Sequence, residues 1–466
     1  MDSLAEPAPG NTSTVPRGSP GGVHSVAASP PRGSRPAGPS GVGRRMCGIM
    51  SPPVPTAVAL ADHWPLGTRR TASGHVEVGG CDLVDVAREL GTPAYVVAED
   101  DLRVRARRFA DGLAARRAGS EVLFASKAFP ATAVLRVFAE EGLGCDVASG
   151  GELHTALHAG FDPERITLHG NAKSEEEVAF ALRAGVGTVV LDSFDDIARV
   201  EALARRPQDV LIRVTPGVEA DTHHAVHTGH AGSKFGIGLG EAREAIARVR
   251  STDSLRLRGL HMHIGSQLFD LDPFRAGIAA LMSLGDWEVL DVGGGLGTSY
   301  LLHESAPSVE AYLDAVVEAV PPGPRIVLEP GRALVANACV TLYTVETVKH
   351  NVSTWVAVDG GMSDNLRPML YDSRYEAAFA NRRGGGDPAR LAGKHCESGD
   401  VLVWDTPLGD AVPGDLVVTP ATGAYGHALA NNYNGVPRPP VVFCSDGDAR
   451  VVVRRETYDD LLARDL

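Results

Sequence analysis

Several polar residues directly follow short apolar runs of the chain, and Lys127 is the first of them that could react. It ends the run 122–127, in which Val122, Leu123 and Phe124 precede it. An amine at the end of an apolar strand is poorly solvated, which favours its neutral form and imine formation with a carbonyl. A lysine that merely extends its amine to solvent at the rim of a sheet would give the same pattern. Lys127 is therefore a candidate nucleophile whose role depends on its neighbours.

A glycine-rich turn and a charged pair end two later runs. The glycines 293–295 let a backbone approach an anion closely, with N–H groups available to it, although a simple tight turn is the alternative. The stretch is not G-x-G-x-x-G, and no P-loop lysine follows it, which favours a compact phosphate over a nucleotide. Glu329 and Arg332 place an anion and a cation together, either for chemistry or as a structural salt bridge.

Histidines occur in two groups. His261 and His263 alternate along the run 257–265, so both face one side of an extended strand at different depths, with a core histidine beneath a functional one. The second group has only Asp221 beside it at ligand spacing and comprises His223, His224, His227 and His230. We therefore expect no metal site.

Composition restricts the classes of function. The chain has 466 residues, of which 44% are hydrophobic and 22% charged, and its formal net charge is −14. No apolar run reaches the roughly 18 residues of a membrane span, and an acidic chain is a poor partner for nucleic acid. The six cysteines form no C-x-x-C pair, as is typical of reduced thiols. The prediction is a cytoplasmic enzyme that acts on a small molecule, with neither a membrane nor a nucleic acid as partner.

The middle of the chain alternates β-rich runs with helical segments, which is typical of βα units around a parallel sheet. Eight such runs are present, at 122–127, 144–149, 166–170, 188–193, 210–216, 257–265, 288–295 and 325–331. Eight units favour an α/β fold with a closed (β/α)8 barrel, in which reactive groups lie at the carboxyl ends of the strands. An open doubly wound sheet is the alternative.

Local signals bound the helices between these runs. Ser174 and Glu177 form an S-x-x-E capping box, and Gly185 follows the apolar stripe as a stop signal. A second stripe at i, i+3, i+4 and i+7 consists of Ala242, Ala245, Ile246 and Val249. Both patterns predict amphipathic helices on the outside of the barrel.

The remaining sequence predicts the domain organisation. Residues 1–55 are rich in Pro, Gly and Ser and carry no aromatic residue, which predicts a disordered tail. After about residue 333 the strands follow one another without helices, which indicates an all-β domain. Strand-like stretches within 56–100 are expected to contribute strands to that domain. The barrel is predicted to occupy 101–332 and the C-terminal β domain 333–466.

A series of motifs resembles one known family. They are FASKA (124–128), GCDVASGGEL (144–153), HGNAKS (169–174), SKFGI (233–237), HMHIGSQ (261–267), DVGGGLG (291–297), EPGR (329–332), CESGD (396–400) and GAYG (423–426). Their order is similar to that in the diaminopimelate decarboxylases, which are fold-type III pyridoxal-phosphate enzymes with a barrel of the alanine-racemase type. The resemblance extends from about residue 64 to the C-terminus.

The resemblance implies roles for individual residues. Lys127 would bind pyridoxal 5′-phosphate covalently, Glu329 would pair with its ring nitrogen, His263 would stack on the ring, and Cys396 would donate a proton. The implied cofactor contacts are Lys127, Asp146, His263, Ser266, Gly293, Gly294, Gly295, Glu329, Pro330, Gly331, Arg332 and Tyr425. The implied substrate contacts are Arg332, Arg367, Tyr371, Glu397 and Tyr425. No metal is implied.

The implied reaction is decarboxylation of meso-2,6-diaminopimelate to L-lysine and carbon dioxide, the last step of lysine biosynthesis, in a homodimer whose Cys396 loop reaches the partner's site. Arg367, Tyr371 and Glu397 favour a substrate with a distal amino acid group. Three alternatives remain: a decarboxylase of ornithine, arginine or a carboxylated polyamine, a noncatalytic pyridoxal-phosphate carrier, and a racemase. Departures from the family pattern, at Ala172, His427 and Ala428, affect none of the implied catalytic positions.

Overall fold

The computed structural model of the chain describes residues 58–218 and 233–466. The predicted tail and the histidines at 223, 224, 227 and 230 lie outside the described residues. Within those two ranges, no helix is both long and apolar enough to cross a membrane. The domain boundaries given above stay predictions.

The described chain begins with a small antiparallel sheet and one helix. The sheet has four strands in sequential order: β1 (Val58–Ala59), β2 (Arg69–Arg70), β3 (Val76–Val78) and β4 (Cys81–Asp82). Helix α1 (Leu83–Leu90) follows, with Asp82 as its N-cap. Strand β5 (Ala94–Ala98) is buried throughout and belongs to a different sheet, described below.

A closed ring of eight parallel strands forms the barrel. They are β6 (Glu121–Ala125), β7 (Gly144–Val147), β8 (Ile166–Leu168), β9 (Thr188–Leu191), β10 (Gln208–Thr215), β12 (Leu255–His261), β13 (Val289–Asp291) and β14 (Arg325–Leu328). The ring closes where β14 pairs with β6. The short β11 (Ile237–Gly238) pairs with β10 at its carboxyl end. All eight predicted runs are confirmed, and the open sheet is excluded.

Helices precede, connect and follow the barrel strands. They are α2 (Glu99–Arg116), α3 (Thr132–Glu140), α4 (Gly150–Ala159), α5 (Glu175–Ala184), α6 (Phe194–Leu203), α7 (Ala242–Arg250), α8 (Asp272–Met282), α9 (Val309–Ala319) and the short α10 (Arg332–Val335). The capping box at Ser174 and Glu177 is present, and Gly185 ends α5 in the left-handed conformation, as predicted. The apolar stripe of α7 is buried.

The strands after the barrel form a second large sheet together with β5. The elements of this part of the chain are β15 (Cys339–His350), β16 (Thr354–Val358), α11 (Arg367–Tyr371), β17 (Ala378–Phe379), β18 (Ala389–Ala392), β19 (Val401–Thr406), β20 (Leu416–Thr419), α12 (Gly426–Leu429), β21 (Val441–Ser445), β22 (Asp448–Val453) and α13 (Tyr458–Leu462). Strand β5 pairs with both β15 and β21, which confirms that the segment before the barrel contributes a strand. The predicted strand around residue 76 instead pairs with β2 and β4, and it contacts the larger sheet through its Val76 N–H and the Ala380 carbonyl.

Candidate active site

A cleft of about 470 Å³ lies at the carboxyl ends of the barrel strands. This is the end of a (β/α)8 barrel at which functional groups collect, because the loops after the strands converge there. Ten of the predicted site residues line it: Lys127, His263, Ser266, Gly294, Gly295, Glu329, Pro330, Gly331, Arg332 and Tyr425. The barrel therefore brings together most of the predicted cofactor contacts.

Glu329 is buried at the carboxyl end of β14, where two imidazoles hold it. The distance from His169 Nε2 to Glu329 Oε1 is 2.6 Å, and that from His261 Nε2 to Oε2 is 3.2 Å. Burial alone would raise the pKa of this carboxyl, but His169 and His261 hold it well below its usual value. The site therefore presents a fixed, ionised carboxylate.

The two histidines of β12 and the following loop lie at different depths, as predicted. Burial lowers the pKa of His261 to about 3, so a neutral ring donates from Nε2 to Glu329. His263 lines the cleft nearer its mouth, and the Gly294 N–H donates to its Nδ1 at 3.2 Å. Burial also lowers the pKa of His263 well below its usual value. Both rings are therefore uncharged at neutral pH.

The environment of Lys127 differs from the one predicted from the sequence. Its side chain is 48% exposed, and its Nζ lies 3.6 Å from the Asp146 carboxylate. The charge of Asp146 outweighs desolvation and raises the pKa of Lys127 above its usual value. The expectation that poor solvation leaves this amine neutral is therefore wrong, because the run 122–127 does not contain Asp146, which lies beside Lys127 in the fold.

The turn at 293–295 requires glycines because neighbouring backbone lies close to it. Gly293 has φ of +72°, and a Cβ on Gly294 would lie 2.3 Å from the Glu329 carbonyl oxygen. A Cβ on Gly295 would lie 2.6 Å from the Gly265 carbonyl oxygen. No side chain fits at either position, and both glycines line the cleft through their backbone. Tyr425, across the cleft, also adopts a positive φ of 65°, a strained conformation of the kind that functional sites retain.

Two buried arginines have tyrosine partners, and one of them, Arg332, lines the cleft. Arg332 donates from Nη1 to the Tyr300 hydroxyl at 2.6 Å and from Nη2 to Ser266 Oγ at 2.9 Å. Arg367 donates to the Tyr375 hydroxyl, and its guanidinium carbon lies 4.9 Å from the centre of the Tyr300 ring. Burial opposes ionisation of Tyr300, but the charges of Arg332 and Arg367 lower its pKa. Within the described residues neither guanidinium has a carboxylate within ion-pair distance.

Six predicted site residues do not line the cleft: Asp146, Gly293, Arg367, Tyr371, Cys396 and Glu397. Cys396 is exposed, with its backbone N–H donating to Asn434 Oδ1, and Glu397 follows it; neither lines the cleft described above. Tyr371 is the last residue of α11, four positions after Arg367. A single chain therefore does not bring the predicted proton donor to Lys127.

Comparisons with known proteins agree on one family. Residues 99–336 match the model of a protein family described as "pyridoxal-dependent decarboxylase, pyridoxal binding domain". The diaminopimelate decarboxylase of Actinosynnema pretiosum subsp. auranticum is 49% identical over 86% of this chain and 95% of its own length. That of Bacillus subtilis (strain 168) is 44% identical over 86% of this chain and 97% of its own length. The chain belongs to the diaminopimelate decarboxylase family.

Solved structures of diaminopimelate decarboxylases have the same fold. The Helicobacter pylori protein complexed with L-lysine has a TM-score of 0.78 at 31% identity, and the match covers 82% of this chain and 98% of that one. The M. jannaschii protein in co-complex with L-lysine has a TM-score of 0.80 at 31% identity, covering 84% and 96%. The fold is therefore that of fold-type III pyridoxal-phosphate enzymes.

The residues of this diaminopimelate decarboxylase family member fit pyridoxal 5′-phosphate, which is its cofactor. Lys127 offers an amine to the aldehyde, the ionised Glu329 suits a protonated ring nitrogen, and the glycine turn suits a phosphate. The buried Nε of Arg332 has no hydrogen-bond partner within the described chain, so the cleft still has a donor for an anion.

The sequence of this diaminopimelate decarboxylase homologue did not reveal every residue around the cleft. His169 directly follows β8, so its position at a strand end was the signal that could have identified it. Tyr300 and Tyr375 lie in loops, one after the glycine turn and one after α11, where no periodicity marks them. These tyrosines belong to the site through their contacts with Arg332 and Arg367, and no local sequence pattern reveals such contacts.

Proposed function

We propose that this chain decarboxylates meso-2,6-diaminopimelate to L-lysine and carbon dioxide, the last step of lysine biosynthesis. The observation that carries the proposal is the cleft lined by Lys127, the fixed Glu329 carboxylate and the buried Arg332. The buried Arg367 lies close to it, because both guanidinium groups contact the Tyr300 ring. The curated relatives named diaminopimelate decarboxylase, and the lysine present in related solved structures, support it.

Binding of the cofactor is assigned to the strand ends. Lys127 would bind it covalently through Nζ, and Asp146 lies beside that amine. His263, Ser266 and the glycines 293–295 would hold its ring and its phosphate. The remaining contacts in this proposal are Pro330, Gly331, Arg332 and Tyr425, which line the same cleft.

Decarboxylation leaves an electron pair on Cα, and pyridoxal phosphate, when bound, supplies the ring that accepts it. Glu329 holds a proton at the ring nitrogen, which keeps the ring able to accept charge as it develops. His169 and His261 keep Glu329 ionised and oriented through their Nε2 donors. In this proposal the three side chains act as one unit.

Recognition of the substrate depends on its distal amino acid group. Arg332 and Arg367 have tyrosine hydroxyls as acceptors, so their charge stays available for a carboxylate, which a planar guanidinium can bind with two hydrogen bonds. Tyr371 and Tyr425 border the same group, and Glu397 binds the distal ammonium. Ornithine has no second carboxylate for Arg367, so we expect it to be a poor substrate.

Cys396 donates the proton to Cα in this proposal, and it does so in the partner's site of a homodimer. Two observations support an intermolecular role: Cys396 is exposed, and it does not line the cleft of its own chain. Glu397, the next residue, reaches the same partner site. A monomer would then bind the cofactor but turn over little substrate.

We also propose a cytoplasmic location. The five cysteines of the described chain are all free thiols, as expected in a reducing compartment. The curated relatives are bacterial enzymes named for one reaction on a small amino acid, which requires neither a membrane nor a nucleic acid as partner.

The direct test is to incubate the holoenzyme separately with meso-, LL- and DD-diaminopimelate and with ornithine, and to measure the carbon dioxide evolved. We expect rapid release from the meso form and little from the other three substrates. Equal turnover of ornithine would reassign the chain to the related diamine-forming decarboxylases. Cofactor absorbance without carbon dioxide from any of the four would indicate a noncatalytic carrier.

A further inference from the structure

Asp400 has a buried carboxylate that accepts three hydrogen bonds from two different loops. Its Oδ1 accepts the Met362 N–H at 2.7 Å. Its Oδ2 accepts the His395 N–H at 2.9 Å and lies 2.8 Å from His395 Nδ1, which must be the protonated nitrogen to face a carboxylate. Asp400 is only 4% exposed, so these bonds are shielded from water. The carboxylate therefore joins residues that are more than thirty positions apart.

Two glycines leave the space that this carboxylate occupies. A Cβ on Gly361 would lie 2.6 Å from both Asp400 oxygens, and a Cβ on Gly393 would lie 2.1 and 2.4 Å from them. Real Cβ atoms do not approach oxygen so closely, so each of these positions excludes any side chain. The Lys394 N–H also donates to the Gly360 carbonyl at 2.9 Å. The two loops are thus packed directly against the Asp400 carboxylate and against each other.

Each loop leads to a side chain of the proposed reaction. The arginine loop, residues 360–366, connects β16 to α11, whose first residue is Arg367. Its backbone is turned tightly, because the Asn365 N–H donates to the Gly361 carbonyl at 2.9 Å. The cysteine loop, residues 393–399, connects β18 to β19 and carries Cys396 directly after His395.

We propose that Asp400 is a positioning residue that sets the arginine loop and the cysteine loop with one carboxylate. The inference rests on the proposed function, since it uses the roles given there to Arg367 and Cys396. A carboxylate suits the task because it only accepts hydrogen bonds, whereas an amide would turn an N–H₂ group toward one of the three N–H donors. A buried N–H donor that loses its acceptor is destabilising, so the amide would displace one loop or both.

The arrangement links two sites of the proposed dimer. Arg367 contacts Tyr300 and Tyr375, and Tyr300 in turn accepts a hydrogen bond from Arg332, which lines the cleft of the same chain. Cys396 is exposed and does not line that cleft, and in the proposed dimer it enters the partner's site. Asp400 therefore fixes a substrate-binding side chain of one site and the proton donor of the other.

Asp400→Asn tests this directly, with Asp405→Asn as the matched control. Asp405 is exposed on β19 and undergoes the same loss of one charge. For Asp400→Asn we expect kcat to fall about tenfold and KM for diaminopimelate to rise about tenfold, because both loops lose one bond to a charged acceptor. Alkylation of Cys396 by iodoacetamide, followed by mass spectrometry of its peptide, should accelerate. Asp405→Asn should leave all three values within about twofold, because it lies on a solvated surface.

A double-mutant cycle separates positioning from a general loss of structure. In the Cys396→Ala background the thiol is absent, so Asp400→Asn should no longer lower kcat but should still raise KM. A variant that simply weakens the fold would lower kcat by the same factor in both backgrounds. Kinetics that match the Asp405→Asn control would also overturn the inference.

His395 offers a second pair of variants in case Asp400→Asn folds poorly, which thermal unfolding would reveal. His395→Asn keeps a side-chain N–H close to the position of Nδ1, whereas His395→Leu removes it. We expect the Cys396 alkylation rate to stay near wild type in the first variant and to rise in the second. Equal rates in the two variants would overturn the inference. The alkylation readout needs no turnover, so it tests Asp400 even if the wild-type chain released no carbon dioxide and the proposed function failed.

Discussion

The two halves of the proposed site are held in different ways. The barrel half consists of residues at strand ends, such as Lys127 and Glu329, whose positions follow from the closed ring of parallel strands. The half after the barrel consists of Arg367 and Cys396, whose loops are set by buried carboxylates and glycines. Electron withdrawal is therefore assigned to the closed barrel, whereas in these proposals substrate recognition and protonation depend on loops that the loss of one hydrogen-bond acceptor would displace.

The largest expected effect lies in the barrel half. Glu329→Gln should lower kcat about 10²–10³-fold with little change in KM, because the charge acts only as the transition state develops. Single-turnover measurements of carbon dioxide release would show it. Glu318→Gln, on the exposed side of α9, is the control and should behave as wild type. A change confined to KM would remove the division of roles between the two halves.

The free energy of unfolding should depend on pH through a carboxyl group in the half after the barrel. Burial raises the pKa of Asp364, in the arginine loop, to about 7. Because the folded pKa exceeds the unfolded value, this carboxyl's contribution to stability is complete below about pH 4 and is lost as the pH rises to about 7. Asp364→Asn should therefore gain stability relative to wild type, by up to about 4 kcal/mol between pH 4 and pH 8.

Urea unfolding of both proteins at several pH values measures this difference. The same comparison for Asp387→Asn, at an exposed position, should show no such trend. A stability difference for Asp364→Asn that stays constant across the range would mean that this carboxyl is not held protonated in the fold.

A smaller effect is expected at Arg367, where a substitution should change KM but not kcat. Arg367→Lys keeps the charge but removes the planar pair of donors, so KM for diaminopimelate should rise roughly tenfold while kcat changes little. Steady-state kinetics measure both constants, with the exposed Arg374→Lys as control. If kcat fell instead of KM rising, Arg367 would belong with the barrel half in function.

The smallest expected effect concerns stability in the barrel. Ser174→Ala removes the cap of α5 and should lower the free energy of unfolding by about 1 kcal/mol. Urea unfolding measures the loss, and Glu176→Ala, which is exposed in the same helix, is the control. Decarboxylation should be unchanged, since α5 only covers the ring. A loss of activity together with this small loss of stability would mean that the barrel half is less rigid than described.

The sequence could predict the barrel because its signals are local. The runs that became β6 and β14, and the capping box at Ser174, are each contained in a few consecutive residues. The pairing of strands β1–β4 with one another was not predicted, for the opposite reason: strands of two or three residues carry too little pattern to identify a partner. Short β17 and β18 escaped prediction in the same way.

The candidate site divides along the same line. Lys127 and Glu329 follow strands, so their meeting in one cleft could be predicted from the barrel alone. Tyr300 lies in a loop and joins the site only through its contact with Arg332. The protonation of Lys127 was mispredicted because Asp146 comes from the neighbouring strand β7. The charge of Lys127 depends on an interaction between two separate strands, which a run of consecutive residues does not reveal.

The most direct test concerns the attachment of the cofactor to Lys127. The holoenzyme is reduced with borohydride and digested, and the peptides are analysed by mass spectrometry. We expect one reduced pyridoxyl adduct on the peptide that contains Lys127, and no adduct and no carbon dioxide release after Lys127→Ala. An adduct on a different lysine, or gas release that survives this substitution, would contradict the proposed chemistry at its base.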